Sequence, residues 1–130
     1  MRRFFFTVDE AVGLVINALD NIDTVNGKVL SREMKSAQIG DILRVWTERL
    51  GGKWKKIEGR PGERDDEFLI GDIELEYTRE IELDGIRHFL ISFNEKQKNP
   101  IGGVLSSANA TRLSDDEIYE IIANPPEEER

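Results

Sequence analysis

Phe4-Phe5-Phe6-Thr7-Val8-Asp9-Glu10-Ala11 decides the fold class, because it passes from strand to helix within a few residues. Phe4 to Thr7 reads as a short buried strand. Thr7 is then placed to act as an N-cap, and Glu10, three residues on, completes a capping box. The helix continues through Ala11 to Leu19. Its apolar positions cover most of the circumference, which predicts a well-buried helix.

The same alternation of short elements runs along the rest of the chain. Asn21 to Gly27 reads as a turn and Lys28-Val29-Leu30 as a second strand. Ser36 is a candidate cap for a helix carrying Ile39, Ile42, Leu43, Trp46 and Leu50 at spacings of three and four, and Gly51-Gly52 should stop it. Lys53 to Ile57 reads as a third strand and Gly59 to Gly62 as a turn. Asp84-Gly85 separates the runs 77–83 and 86–93, a strong hairpin signal. Residues 94–112 are polar and read as a long loop. Ser114-Asp115-Asp116-Glu117 is a second capping box, opening a last helix through Ile118, Ile121 and Ile122 that Pro125-Pro126 ends. The expected fold is therefore α/β of an α+β-like kind: a small mixed domain with short strands, three main helices and a β-hairpin. One domain spans 1–124, and the acidic tail 125–130 is expected to be disordered.

Size and composition narrow the function classes. At 130 residues the chain fits one domain and can bury roughly two-thirds of its unfolded surface. It has no cysteine, which removes disulfides and thiolate metal sites and is compatible with the cytoplasm. The apolar start Phe4-Phe5-Phe6 ends at once in polar residues, unlike a signal peptide. No apolar run approaches the roughly 18–20 residues that span a bilayer, so no membrane partner is expected. The net charge of −8, from 18 basic and 26 acidic residues, argues against nucleic acid. An anionic ligand would have to be met by a few local arginines.

Several kinds of chemistry lack their residues. No glycine-rich turn follows a strand and opens a helix, so a dinucleotide fingerprint is missing, as is a P-loop. Tyr77 and Tyr119 are followed four residues later by Ile81 and Ala123, not by the lysine that would lower a phenol's pKa. His88 is the only histidine, without partners for a triad or a metal site, and reads as a satisfied or exposed strand residue. Asp65-Asp66-Glu67 reads as a solvated helix start rather than a cation site. No catalytic residue and no metal ligand is assigned.

What remains is Arg60-Pro61-Gly62-Glu63, which sets an arginine and a glutamate on one tight turn where both can reach one ligand. Together with its surroundings the turn resembles a known family. Arg2-Arg3-Phe4-Phe5-Phe6-Thr7-Val8-Asp9-Glu10-Ala11 is similar to the opening of the corresponding segment in CapD-like polysaccharide biosynthesis proteins. These are UDP-sugar 4,6-dehydratases of the extended short-chain dehydrogenase superfamily. Gly27 to Leu30, Met34-Lys35-Ser36 and the helix to Leu50 resemble the next strand, loop and helix. Gly59 to Glu63 is similar to the family's Arg-Pro-Gly-Glu turn, and Ser106-Ser107 with Arg112 to Ile118 resembles its C-terminal segment. Arg64-Asp65-Asp66-Glu67 departs from the family's continuation and adds negative charge.

The resemblance implies the C-terminal, substrate-binding part of such an enzyme with the Rossmann domain absent, as a fragment or split gene product. It implies that Arg3 and Arg60 contact a pyrophosphate from two sides and that Glu63 binds ribose hydroxyls. It also implies a UDP-sugar partner, of the UDP-N-acetylhexosamine kind. NAD(P) and the tyrosine and lysine of the dehydratase reaction would belong to the intact enzyme, with no cofactor held by this chain. Arginine suits the phosphate role because it offers a permanently charged planar fork of donors, and a carboxylate can accept two hydrogen bonds from a diol. A different class of function stays open: a stand-alone oligomerisation or interaction module, pairing with itself or with a separate Rossmann-domain chain through the hairpin strands or an exposed apolar surface.

Overall fold

The aromatic run at the N-terminus makes strand β1 (Arg2–Phe5), and Thr7 caps helix α1 (Val8–Asp20) through the expected reciprocal box. The computed structural model describes residues 1–125. The remaining elements are α2 (Ile22–Val25), β2 (Val29–Arg32), β3 (Lys35–Gln38), α3 (Ile39–Leu50), β4 (Phe68–Ile70), β5 (Thr78–Leu83), β6 (Ile86–Ile91), β7 (Leu105–Ser106) and α4 (Asp115–Ala123). A 3-10 segment, Asp72–Tyr77, precedes β5. The mixed α/β class, the three main helices and the hairpin are all present. The tail expectation falls on residues 126–130, which lie outside the described residues, as does the second of the two prolines after α4.

The chain forms two compact units, each assembled from separated segments. The first contains Met1–Phe5, Lys35–Glu67 and Ser107–Arg130. Here β1 pairs antiparallel with β3, with Arg3 opposite Ala37. Ala37, Val45 and Ile118 form the core, joined by Phe5, Ile42, Leu113, Tyr119 and Ile122. Helices α3 and α4 pack together, and Arg44 and Arg49 reach the Asp115 and Asp116 carboxylates at 2.8 and 2.7 Å. Those aspartates occupy the first turn of α4, where the helix dipole also favours negative charge.

The second unit contains Phe6–Met34 and Phe68–Ser106. Its sheet has the order β2-β6-β5, all antiparallel, and β4 pairs with β7 separately. Asp84 and Gly85 both take positive φ, 54° and 69°, as a two-residue type I′ hairpin requires. Side chains alternate across β6. Phe89 and Ile91 enter one core with Ile70, Leu75 and Leu105, and His88 and Leu90 are fully buried on the opposite face.

Four expectations are corrected. Lys53 to Ile57 is not a strand: it pairs with no other strand among the described residues, and every residue in it is exposed. A strand forms only where a neighbouring strand takes up its backbone N–H and C=O groups. Ser36 does not cap α3. It lies in β3, its hydroxyl donates to the Ser107 carbonyl at 2.8 Å, and Gln38 stands at the N-cap without a side-chain bond. Asp65-Asp66-Glu67 starts no helix. Finally, α1 is not well buried. Only Asn17 is buried, whereas Val8, Val12, Val15, Ile16 and Leu19 are each about half exposed or more. The loop expected over 94–112 also contains β7 and a bridge from Arg112 to Ser36.

Candidate functional site

The Arg60–Glu63 turn closes by a hydrogen bond from the Glu63 N–H to the Arg60 carbonyl at 3.0 Å. Gly62 has φ +84°, the value demanded after proline in a type II turn. A side chain at Gly62 would be strained there. The Glu63 carboxylate folds back over the turn, where Oε2 accepts from the Arg60 N–H at 3.1 Å.

Strand β1 supplies the second arginine. Arg3 Nη1 donates to the Arg2 carbonyl at 2.8 Å, and Nη2 donates to the Arg64 carbonyl at 3.0 Å. The same guanidinium lies 3.4 Å from Glu67 and 3.9 Å from Glu63. Arg3, Arg60 and Glu63 therefore belong to one unit, and Arg3 and Glu63 meet across the turn. The two arginines are in different states. Arg3 is largely covered and committed to carbonyls and carboxylates. The Arg60 side chain is exposed and makes no ion pair among the described residues. A charged planar fork facing water is free to accept a phosphate.

Three residues assigned no role at the site from the sequence hold this region. Asp66 receives Arg2 in a bidentate pair, Nε to Oδ1 at 2.6 Å and Nη2 to Oδ2 at 2.7 Å. The Arg2 hydrogen bonds, helped by Ser107, keep the Asp66 carboxyl below the usual range. Ser107, fully buried, lies 3.0 Å from Asp66 Oδ1 and 3.2 Å from the Arg2 carbonyl, and its Oγ accepts from the Glu67 N–H at 3.0 Å. No local pattern marks these residues, because Ser107 meets partners 41 and 105 positions away.

Two further cations of the chain, Lys35 and Arg32, are already used. Lys35 pairs with Glu117 at 2.6 Å, and Arg32 pairs with Glu10 at 3.3 Å. His88 Nδ1 lies 2.8 Å from the Ile86 carbonyl, to which it can only donate, and Nε2 is buried without a partner among the described residues. A cavity of about 30 Å³ lined by Phe5, Ile42, Leu113, Ile118, Ile121 and Ile122 is apolar and too small for a nucleotide. The open turn is the better candidate for a ligand.

A family model described as polysaccharide biosynthesis protein matches residues 1–87. That span holds β1, the Arg60–Glu63 turn and the first strand of the hairpin. Among solved structures the chain is similar to Pen from Bacillus thuringiensis, with a TM-score of 0.73 and 23% sequence identity. The match covers 95% of this chain but only 37% of that one, so the chain spans little more than a third of the length of Pen. At this identity the likeness is one of fold. A comparison with curated proteins finds no match. No helix among the described residues is long and apolar enough to cross a membrane.

Proposed function

The chain belongs to the polysaccharide biosynthesis protein family, and on that premise we propose that it is the UDP-sugar-binding part of a dehydratase-like enzyme. The observation that supports this most directly is the Arg60–Glu63 turn. One free guanidinium and one carboxylate stand on one type II turn, with Arg3 beside the carboxylate. Arg60 would take the pyrophosphate. Glu63, held by the Arg60 N–H and facing Arg3, would accept from the ribose hydroxyls. Arg3 would add positive potential from the β1 side and reach a phosphate by exchanging one of its carbonyl contacts.

The described residues do not fit NAD(P). A dinucleotide needs backbone N–H groups at a glycine-lined helix start. Here Phe6 and Thr7 lead straight into α1, and Gly51 and Gly52 close α3 instead of opening a helix. In this reading the chain binds and orients the sugar nucleotide, and correct placement by itself removes much of a barrier.

Calorimetric titration with uridine, UMP and UDP tests the reading. Affinity should rise with each phosphate, and Arg60→Ala should weaken UDP by at least about tenfold, the scale of one lost charge-assisted contact. Absence of UDP binding by the unaltered chain, or equal affinity for uridine and UDP, would overturn it.

A second reading has an observation of its own. Val8, Val12, Val15 and Leu19 recur at spacings of four, three and four on α1, and all are exposed. That is the seam of a helix that packs on another helix. By contrast, edge strand β5 carries Arg79, Glu80 and Glu82, which discourage strand addition. An assembly module would therefore use α1 and not the hairpin. Sedimentation decides: a concentration-dependent oligomer abolished by Val12→Glu with Val15→Glu, and no UDP binding, would favour this reading over the first.

A further inference from the structure

We propose that Arg2, Asp66 and Ser107 are positioning residues that fix the Arg60–Glu63 turn against β1 and thereby set its affinity for a nucleoside diphosphate. The inference rests on the nucleotide-binding reading of that turn and adds to it the residues that keep it ordered.

The turn by itself is weakly held. Residues 51–65 are exposed throughout and form no helix or strand, and the only bonds inside the turn are the two between Arg60 and Glu63. A segment of this kind pays conformational entropy on binding unless something orders it beforehand. The ordering comes from the residues directly after it. One edge of β1 pairs with β3, and residues 65–67 run along its other edge. The Arg2 N–H donates to the Asp65 carbonyl at 2.7 Å, and the Phe4 N–H donates to Glu67 Oε2 at 3.0 Å. The Arg2 side chain then grips the Asp66 carboxylate with two donors. Ser107 closes the arrangement from its buried position, donating its N–H to the Glu67 carbonyl at 2.8 Å and receiving the Glu67 N–H at Oγ. Ser107 is itself fixed by the Ser36 hydroxyl of β3 at its carbonyl. Asp66 thus ties together β1, the buried Ser107 and the end of the ligand turn, only three residues beyond Glu63.

Adjacent arginines on β1 have divided the work. Arg2 holds the loop through a carboxylate, and Arg3 holds it through the Arg64 carbonyl while facing Glu63. Releasing Asp66 would leave Arg3 and Glu63 without a fixed separation, and a ligand needing both arginine and carboxylate would meet them in the right place less often.

The test uses Asp66→Asn, which keeps the shape but removes the charge, and Ser107→Ala, a smaller perturbation should the first variant fold poorly. Backbone amide order parameters for Gly62 and Glu63 are measured without ligand, and UDP affinity is measured by calorimetry. Amides of the β5–β6 hairpin report that the protein is folded. The expected result is a fall of the turn amides from ordered values, about 0.85, towards those of flexible segments, below about 0.6. UDP affinity should drop about tenfold, with the hairpin amides unchanged. A residue that served stability alone would lower the melting temperature but leave both readouts in place. Unchanged order parameters in both variants would overturn the clamp. A loosened turn with unchanged UDP affinity would overturn its role in binding. Failure of the unaltered chain to bind UDP is a separate result, because it breaks the nucleotide reading while the order parameters still decide the clamp.

Discussion

Helices α1 and α4 begin with the same device and end in different surroundings. In both, a hydroxyl residue accepts from the N–H three positions on and a glutamate reaches back: Thr7 with Glu10, and Ser114 with Glu117. Helix α4 then buries Ile118 against Val45 and Ala37. Helix α1 leaves its valines and leucine exposed. The difference teaches that a capping box starts a helix by satisfying orphan N–H groups, whereas burial depends on whether another element lies against the apolar stripe. One helix is part of a finished core. The other keeps its apolar stripe exposed.

The largest expected effect separates the two helices most sharply. Ile118→Ala should cost about 2–5 kcal/mol in urea denaturation, because it empties a close-packed site. Leu19→Ala on α1 removes a comparable volume from a side chain 65% exposed and so opens no cavity. Next in size are the caps. Ser114→Ala and Thr7→Ala should each cost about 1 kcal/mol by the same measurement. A cost for Thr7→Ala far below that of Ser114→Ala would show that the start of α1 is frayed even with its cap.

Acidification gives a smaller effect, with a definite sign. Lys35, and then the Ser114 backbone, hold the Glu117 carboxyl below its ordinary value, and Arg44 does the same for Asp115. A carboxylate with a lowered folded pKa adds stability that is fully present above its unfolded value of about 4. That stability is lost as pH falls through the folded value. Stability should therefore decline on acidification below about pH 4. In Lys35→Met the decline should be shallower, as read from denaturation midpoints across that range. The smallest effect is that of Leu19→Ala, expected within about 0.5 kcal/mol of the unaltered chain. A cost of several kcal/mol would mean that the α1 seam is covered in solution, and would point to self-association.

How much could be read from the sequence follows the same division. The two capping boxes, the Asp84-Gly85 hairpin, the glycine stop after α3 and the tight turn at Arg60 were all legible, because each depends on residues a few positions apart. Strand β3 and the short β4–β7 pair were missed, since Lys35 to Gln38 shows no apolar alternation and gains its strand character from pairing with β1. Lys53 to Ile57 failed for the converse reason: Trp54 and Ile57 suit a strand, but no other strand pairs with it among the described residues. At the candidate site, Arg60 and Glu63 could be singled out from one turn. Asp66 and Ser107 could not, because only the fold carries residue 107 to residue 66.

By itself, then, the sequence determined where helices start and stop, where the chain reverses, and that an arginine and a carboxylate share one turn. These are local matters of hydrogen-bond supply and allowed dihedrals. Only the tertiary structure decided which apolar stripe is covered, which acidic residues are anchored and which of Arg3 and Arg60 stays free. Those outcomes depend on contacts between segments tens of residues apart, and short-range periodicity carries no information about them.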